Sequence, residues 1–186
     1  KCNAEGKRIV GHAVTVPTDF QFQLIDFNLF DSDPDWRAVT TGTLEEKMEK
    51  MSDPELRKPL KEKFNPNHTF IGAMANNIDK LRYGEGDDLN VHNKYEGRII
   101  EEIAKTENKH PIDVFLDISL SENLSSRWVT PPQKIEMEAM SRLANHPFSV
   151  PGLSDGGAHM KFLTAAIYPT YFLGTLCRDN NVMSLE

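Results

Sequence analysis

The sequence predicts an α/β fold, because short apolar segments typical of strands alternate with longer segments of helical periodicity. Residues 8–16, RIVGHAVTV, are rich in β-branched side chains and read as a buried strand. Thr43 and Glu46 have the spacing of a capping box at the start of a helix. A second short apolar run, FSVPGLSD at residues 148–155, precedes a pair of glycines and a further helical segment.

The composition is that of a globular protein without a nucleic-acid partner. The chain has 186 residues, which is enough for one ordinary domain, and 39% of them are hydrophobic and 26% charged, as in globular proteins. The net charge of −7 argues against a nucleic-acid partner. Lys58, Lys61 and Lys63 are interleaved with Glu55 and Glu62, which indicates a solvated helix face and not a basic stripe.

The ends of the chain carry two cysteines, Cys2 and Cys177, without the spacing of a metal site. We expect two free thiols in a reducing cytoplasm, with a single disulfide as the alternative. The first residues lack the apolar segment of a signal peptide, and no apolar run approaches the roughly 20 residues that span a bilayer. We therefore expect a cytoplasmic protein.

The first elements read as a helix end, closed by Gly6, and the strand at 8–16, which together resemble half of a βα repeat. Residues 17–36 predict a long loop with a short strand at Phe20–Ile25. Its aromatic stretch, residues 19–30, alternates well enough to suggest either a strand or an apolar flap, and the side chains of such a flap are expected to be exposed. We expect such exposed apolar surface to drive self-association.

The middle of the chain predicts two consecutive helices. The first begins at the Thr43 capping box, and the second begins with Ser52 as its cap and Pro54 in its first turn, with strain at Pro59. Residues 68–74, HTFIGAM, are a candidate strand. Residues 76–97 are polar and contain glycine, which predicts irregular surface.

The last third predicts helices and one strand. An apolar stripe from Ile99 to Ala104 predicts a helix that ends near Asn108, and a second helix starts at Pro111. A third covers residues 132–147, and the strand at 148–155 precedes a helix over Lys161–Leu173. Two or three strands for about six helices are too few to close a barrel alone.

Asp155 is the principal candidate for chemistry. It follows an apolar strand, the position at which parallel α/β folds place their active sites, and Gly156 and Gly157 leave room for close approach. A carboxylate there can bind a cation or take a proton from water. The alternative is that Asp155 only caps the following helix.

The histidines and threonines leave two interpretations each. His159 either contributes to a site beside Asp155 or is an ordinary residue of the next helix. His12 is either a core histidine or a ligand, and Thr15, Thr18 and Asp19 either line a pocket or belong to a polar loop. His146 is interpreted as a helix terminus. The remaining histidines are interpreted as surface residues in turns: His68, His92 and His110.

Three stretches together resemble a known family. Residues 146–159 (HPFSVPGLSDGGAH), 36–60 (WRAVTTGTLEEKMEKMSDPELRKPL) and 95–124 (YEGRIIEEIAKTENKHPIDVFLDISLSENL) are similar, in consistent order, to metal-dependent amidohydrolases of the N-acyl-D-amino-acid deacylase (D-aminoacylase) branch. The resemblance implies a (β/α)8 TIM barrel that hydrolyses an amide bond with bound zinc. It implies that Asp155 contacts the metal and shuttles a proton, with Gly156, Gly157 and His159 beside the substrate.

The resemblance covers only part of such a barrel. Residues 8–16 match its seventh strand and residues 146–177 its last strand and following helix, so that about 18–145 form a helix-rich insertion between the two strands. The chain lacks the H-x-H pair and the other histidine ligands, and one carboxylate does not hold a catalytic zinc, which takes about three protein ligands. We therefore expect the isolated 186-residue chain to be an inactive single fragment of a larger domain that binds no zinc.

Two alternatives remain at this point. The first alternative is a non-catalytic module or a degenerate relative that self-associates. The second is part of a cyclic amidase of the hydantoinase or dihydroorotase type. TVPTDF at residues 15–20 departs from the tyrosine-rich turn of the deacylase branch, which weakens the expectation of a D-amino-acid substrate.

Overall fold

The computed structural model describes residues 2–17, 20–26, 30–66, 78–131, 135–154, 156 and 165–184. It is a mixed α/β structure that divides into two compact units. Unit 1 contains Lys1–Asp19 and Pro132–Glu186, and unit 2 contains Phe20–Pro131. Unit 2 is continuous in sequence and interrupts unit 1, and its bounds fall inside the segment 18–145 that the sequence analysis treats as an insertion.

The described elements follow the chain in this order. The strands are β1 Gly11–Ala13, β2 Gln21–Phe22, β3 Arg82–Glu85, β4 Arg127–Val129 and β5 Ser149–Pro151. The α-helices are α1 Pro34–Thr40, α2 Leu44–Ser52, α3 Pro54–Glu62, α4 Leu89–Tyr95, α5 Ile100–Glu107, α6 Pro111–Ser121, α7 Met137–Ala144 and α8 Tyr168–Tyr171. Short 3-10 helices cover Asn3–Glu5, Ile78–Lys80 and Ala165–Ile167, and a π-helix covers Phe172–Asp179.

Unit 2 is built around a small antiparallel sheet with the strand order β2-β4-β3 and the helices α1 to α6. Its core is aromatic. Trp128 lies on the central strand, and its ring centroid is 5.0 Å from that of Phe115 and 5.7 Å from that of Tyr83. Phe30 stacks on Trp36 at 4.6 Å, and all five of these side chains are buried. Edge-to-face and stacked ring pairs of this kind add to the stabilisation from burial.

The helix boundaries in unit 2 follow local chemistry that the sequence displays. The Thr43 hydroxyl accepts from the Glu46 N–H while the Glu46 carboxylate accepts from the Thr43 N–H, which confirms the capping box of α2. The end of α5 at Asn108, whose φ is 51°, and the start of α6 at Pro111 are also confirmed. The predicted cap of α3 is wrong by one residue, because the Asp53 carboxylate caps this helix.

The prediction of irregular surface at residues 76–97 is wrong. This segment contains β3 and α4, and Ile78, Leu81, Tyr83 and Tyr95 within it are buried. The segment has a polar sequence because β3 is short and contains a glycine. Only one of its four residues, Tyr83, is buried, which is too few for a recognisable alternation. The strand β4 was not predicted at all. The candidate strand at residues 68–74 lies outside the described residues.

In the described part of the aromatic segment, residues 20–26 and 30, the strand alternative is confirmed by β2, and the exposed flap is not observed. Phe20, Phe22, Leu24 and Phe30 are all buried, and Phe22 belongs to β2. Side chains at alternate positions of an extended segment point to the same face, and here that face packs on the core of unit 2. The expectation that these side chains are exposed is therefore wrong.

Unit 1 contains a pair of parallel strands, β1 and β5, with α7 between them in sequence. Met140 and Ala144 of α7 pack with Leu176 and Val182 in a small core. The strand β1 is shorter than the predicted 8–16. The predicted helix at 161–173 begins outside the described residues and, from Ala165, consists of a 3-10 turn, α8 and the π-helix.

The remaining observations concern one proline, the two cysteines and the membrane. Pro169 occupies the first turn of α8, where a proline is tolerated because its missing N–H has no intrahelical acceptor there. Cys2 and Cys177 are both free thiols, as predicted. Among the helices that the structure describes, none is long and apolar enough to cross a membrane.

Candidate functional site

The candidate site lies where β1 and β5 end. The two strands are in register, with Gly11 opposite Ser149 and Ala13 opposite Pro151, and the Gly152 N–H donates to the Ala13 carbonyl oxygen at 3.0 Å. Because the strands are parallel, the segments that follow them leave the sheet at the same edge. This edge is where parallel α/β proteins position catalytic side chains.

Most of the predicted site residues lie outside the described part of the chain: Asp155, Gly157 and His159. Gly156 is described and half-buried, and its N–H donates to the Ser154 hydroxyl oxygen at 3.2 Å. This bond tightens the turn that follows β5. The structure therefore describes the strand before the predicted carboxylate and part of the turn around it.

Gly152 is a site-proximal glycine that the sequence analysis did not single out. Its φ is +135°, a conformation that residues with a Cβ rarely adopt, and a Cβ there would lie 3.1 Å from Cε2 of Tyr168. The residue thus allows the chain to turn sharply after Pro151 and to pass close to α8. The signal available in the sequence was the Pro151-Gly152 dipeptide, which commonly marks a turn.

The residues after β1 only partly match the predicted pocket. Thr15 is fully buried, and its hydroxyl has no hydrogen-bond partner among the described residues. Thr18 and Asp19 lie outside the described residues.

The histidines occupy more specific places than the sequence indicated. His12 is exposed, so it is not the core histidine that was one of its two interpretations. His146 follows the end of α7, as predicted, and its Nδ1 accepts from the Phe148 N–H at 3.2 Å. His110 is the half-buried cap of α6 and not a surface residue, and burial lowers its pKa.

His92 is also not a surface turn residue. It lies on α4, where it is half-buried and its Nε2 is 3.4 Å from the Glu96 carboxylate. The position of His68 lies outside the described residues.

Unit 2 contains a buried carboxylate that the sequence analysis missed. Glu122, which is 3% exposed, accepts hydrogen bonds from the Tyr83 hydroxyl at 2.9 Å, from the Asp88 N–H at 3.1 Å and from the Ser126 hydroxyl. Burial, followed by the bond to Glu122, raises the pKa of Tyr83, so that this phenol remains a donor at neutral pH. A Cβ on Gly86 would lie 2.2 Å from the Glu122 carboxylate oxygens.

This network has a structural role that a substitution tests. Glu122→Gln replaces one acceptor oxygen by an NH₂ group that faces donors, and we expect it to lower the free energy of unfolding by about 2–3 kcal/mol. Chemical denaturation measures this loss. Glu96→Gln, at a carboxylate that is 66% exposed, is the matched control and should change stability by less than about 0.5 kcal/mol. Equal effects of the two substitutions would contradict the assignment.

Metal binding was tested against the donors that the structure describes. Within the described ranges, no group of three or more His, Cys, Asp or Glu side chains is arranged to hold a metal ion. A catalytic zinc takes about three protein ligands. Asp155, the predicted metal ligand, lies outside these ranges.

Comparison with known proteins adds no relative. No protein-family model, no curated protein and no solved structure matched the chain.

Proposed function

We propose that the chain is part of a metal-dependent amidohydrolase of the N-acyl-D-amino-acid deacylase type, and that β1 and β5 correspond to strands seven and eight of its (β/α)8 barrel. The observation that carries the proposal is that β1 and β5 pair in parallel although a separate compact unit lies between them in sequence. Adjacent parallel strands with a helix between them are the repeating unit of such a barrel. Here α7 is that helix, and unit 2 is the insertion.

The exposed side chains of the sheet also support a larger barrel. Val14 on the β1 side and Val150 on β5 are 43% and 47% exposed. Parallel sheets are normally covered on both faces, and a pair of short strands is not stable by itself in water. Further strands and helices of a barrel would cover these side chains.

In this proposal Asp155 holds and transfers the proton during amide hydrolysis, and Gly156, Gly157 and His159 lie beside the substrate. Asp155 follows the end of β5 by four residues. The strand and the turn at Gly152 are a rigid base from which a carboxylate can be aimed at a reacting amide. The other zinc ligands belong to barrel strands that this sequence does not contain.

The proposal predicts the behaviour of the 186-residue chain alone. Because the described donors do not form a zinc centre, we expect neither tight stoichiometric zinc binding nor turnover of N-acyl amino acids. Isothermal titration with Zn²⁺ and an amide-hydrolysis assay with and without Zn²⁺ measure both properties. Stoichiometric binding accompanied by hydrolysis would overturn the view that the chain is only part of the site.

The same proposal predicts a large effect in a polypeptide that contains these residues together with an upstream H-x-H segment. Asp155→Asn should lower kcat by about 10²–10⁴-fold, the usual loss when a general acid–base group is removed. Asp179→Asn is the matched control, because this exposed carboxylate pairs only with Arg178 in the described structure. An unchanged kcat in Asp155→Asn would exclude the proton-transfer role. An upstream reading frame without an H-x-H segment would exclude the family.

A further inference from the structure

The two edges of the unit 1 sheet differ in their capacity to accept another strand. Alternate peptide groups of a strand point to opposite edges, and Gly11 and Ala13 point to β5. The N–H and C=O of His12 therefore point to the other edge, where the described part of the chain supplies no partner strand. This edge is a template for an added strand.

The outer edge of β5 is closed to the same kind of pairing. Pro151 has no N–H, and the Ser149 N–H donates to the His146 carbonyl oxygen at 2.9 Å. Proline at such a position is one of the ways in which proteins block an edge strand. Of the two strands that the structure describes in unit 1, β1 is therefore the one with an open edge.

The side chains along the β1 edge are suited to burial. Val10 and Val14 are 39% and 43% exposed and lie on the same face of the strand as His12, whereas Ala13 and Thr15 on the opposite face are buried. Val150 of β5 lies beside His12 in the register and is exposed as well. The open edge is thus bordered by valine side chains on one face.

Charge does not oppose contact between two copies of unit 1. Of the 21 basic and 28 acidic side chains, seven of each lie in residues 1–19 and 132–186, so the net charge of −7 belongs to residues 20–131. Unit 1 is neutral, and its exposed edge carries no carboxylate between Lys7 and Pro17. Two such edges can approach without net repulsion.

We propose that two copies of this chain pair through their β1 edges as an antiparallel two-stranded interface. In this register His12 of one copy lies opposite His12 of the other. Val10 of each copy then lies opposite Val14 of the other copy. Antiparallel pairing about a two-fold axis uses the same edge twice and leaves no open edge. The assembly therefore closes as a dimer and does not grow into a fibre. The proposal concerns the 186-residue chain. In the whole barrel of the proposed function this edge would pair with the preceding barrel strand, so the dimer would not form there.

Sedimentation analysis of the whole chain over a range of concentrations tests the proposal. We expect a monomer–dimer equilibrium in which Val14→Lys raises the dissociation constant at least about tenfold, because an edge lysine opposes strand pairing. Leu89→Lys is the matched control, since Leu89 is 72% exposed but belongs to unit 2. It should leave the equilibrium unchanged. A monomer at all concentrations, growth beyond a dimer, or equal effects of the two substitutions would overturn the proposal.

Disulfide trapping tests the register. In a Cys2→Ser background, His12→Cys should form a covalent dimer on mild oxidation, because directly opposed residues have Cα atoms about 5.5 Å apart, within disulfide range. Val150→Cys is the control, since it lies one strand further from the interface on each side and its two copies are about 14 Å apart. Equal trapping at both positions, or none at His12→Cys in a sample that sediments as a dimer, would exclude this interface. Zinc binding and hydrolysis are measured separately. A failure of the proposed function therefore changes neither the sedimentation result nor the disulfide-trapping result.

Discussion

Trp128→Ala is expected to lower the free energy of unfolding of unit 2 by about 3–5 kcal/mol, the usual cost of truncating a large aromatic side chain in a core. Trp128 lies on the central strand β4 and is fully buried. Its ring contacts Phe115 and Tyr83, and its Nε1 donates to the Ser119 hydroxyl at 3.0 Å. Truncation therefore removes ring contacts with the neighbouring strand β3 and with α6, and it leaves the Ser119 hydroxyl oxygen without the indole donor.

Denaturant unfolding followed by far-ultraviolet circular dichroism measures this loss. Trp128→Phe separates its two causes, because it retains an aromatic ring but removes the indole N–H. The Ser119 hydroxyl keeps its bond to the Phe115 carbonyl oxygen, so this variant should lose about 1–2 kcal/mol. Leu89→Ala, at an exposed leucine, should be within about 0.5 kcal/mol of the unsubstituted chain. A Trp128→Ala loss below that of Trp128→Phe would contradict the described core.

The helices α2, α3, α5 and α6 of unit 2 could be predicted from the sequence because their ends carry local signals, whereas α1 begins in a segment that was predicted as loop and α4 lies in one predicted as irregular surface. Thr43 with Glu46, Asn108 in a left-handed conformation and Pro111 in a first turn each act within one turn of the backbone. The boundary at Asp53 was missed by one residue, because Ser52 and Asp53 are both good caps. Only the observed bond to the Glu55 N–H distinguishes them.

The sheet of unit 2 could not be predicted in the same way. The central strand β4 has three residues, and its partners β2 and β3 are distant in sequence. The burial of Tyr83 and Trp128 depends on contacts that form only in the folded unit. Short strands with one or two inward side chains give too little alternation to distinguish them from polar loops.

The candidate site was predicted from one segment, and the structure tests only its surroundings. The strand at residues 149–151 lies within the predicted 148–155, and His146 follows the end of α7 at Ala144, as the sequence analysis predicted. Asp155 and His159 remain predictions. The roles of Gly152 and Glu122 required coordinates, because a glycine with positive φ and a buried carboxylate look like any other glycine and glutamate in a sequence.

The segment Phe20–Pro131, produced alone, is expected to fold cooperatively with a free energy of unfolding of about 5–10 kcal/mol, as for an ordinary small domain. Its two ends lie side by side. The Phe20 N–H donates to the Thr130 hydroxyl at 2.8 Å, and the Thr130 N–H donates to the Phe20 carbonyl oxygen at 2.8 Å. The chain therefore enters and leaves unit 2 at one place, and cutting there breaks no strand pairing within the unit.

The energetic basis of this expectation is that the aromatic core of unit 2 is formed entirely by its own residues. Trp128, Tyr83, Phe115, Phe30 and Trp36 all belong to Phe20–Pro131. A sharp sigmoidal melt with retained near-ultraviolet circular dichroism is the expected result, and Trp128→Ala should lower the stability of the excised segment as much as that of the whole chain. Helical far-ultraviolet signal without near-ultraviolet signal would indicate a molten globule. In that case the core of unit 2 depends on residues outside it, and its description as an inserted domain is wrong.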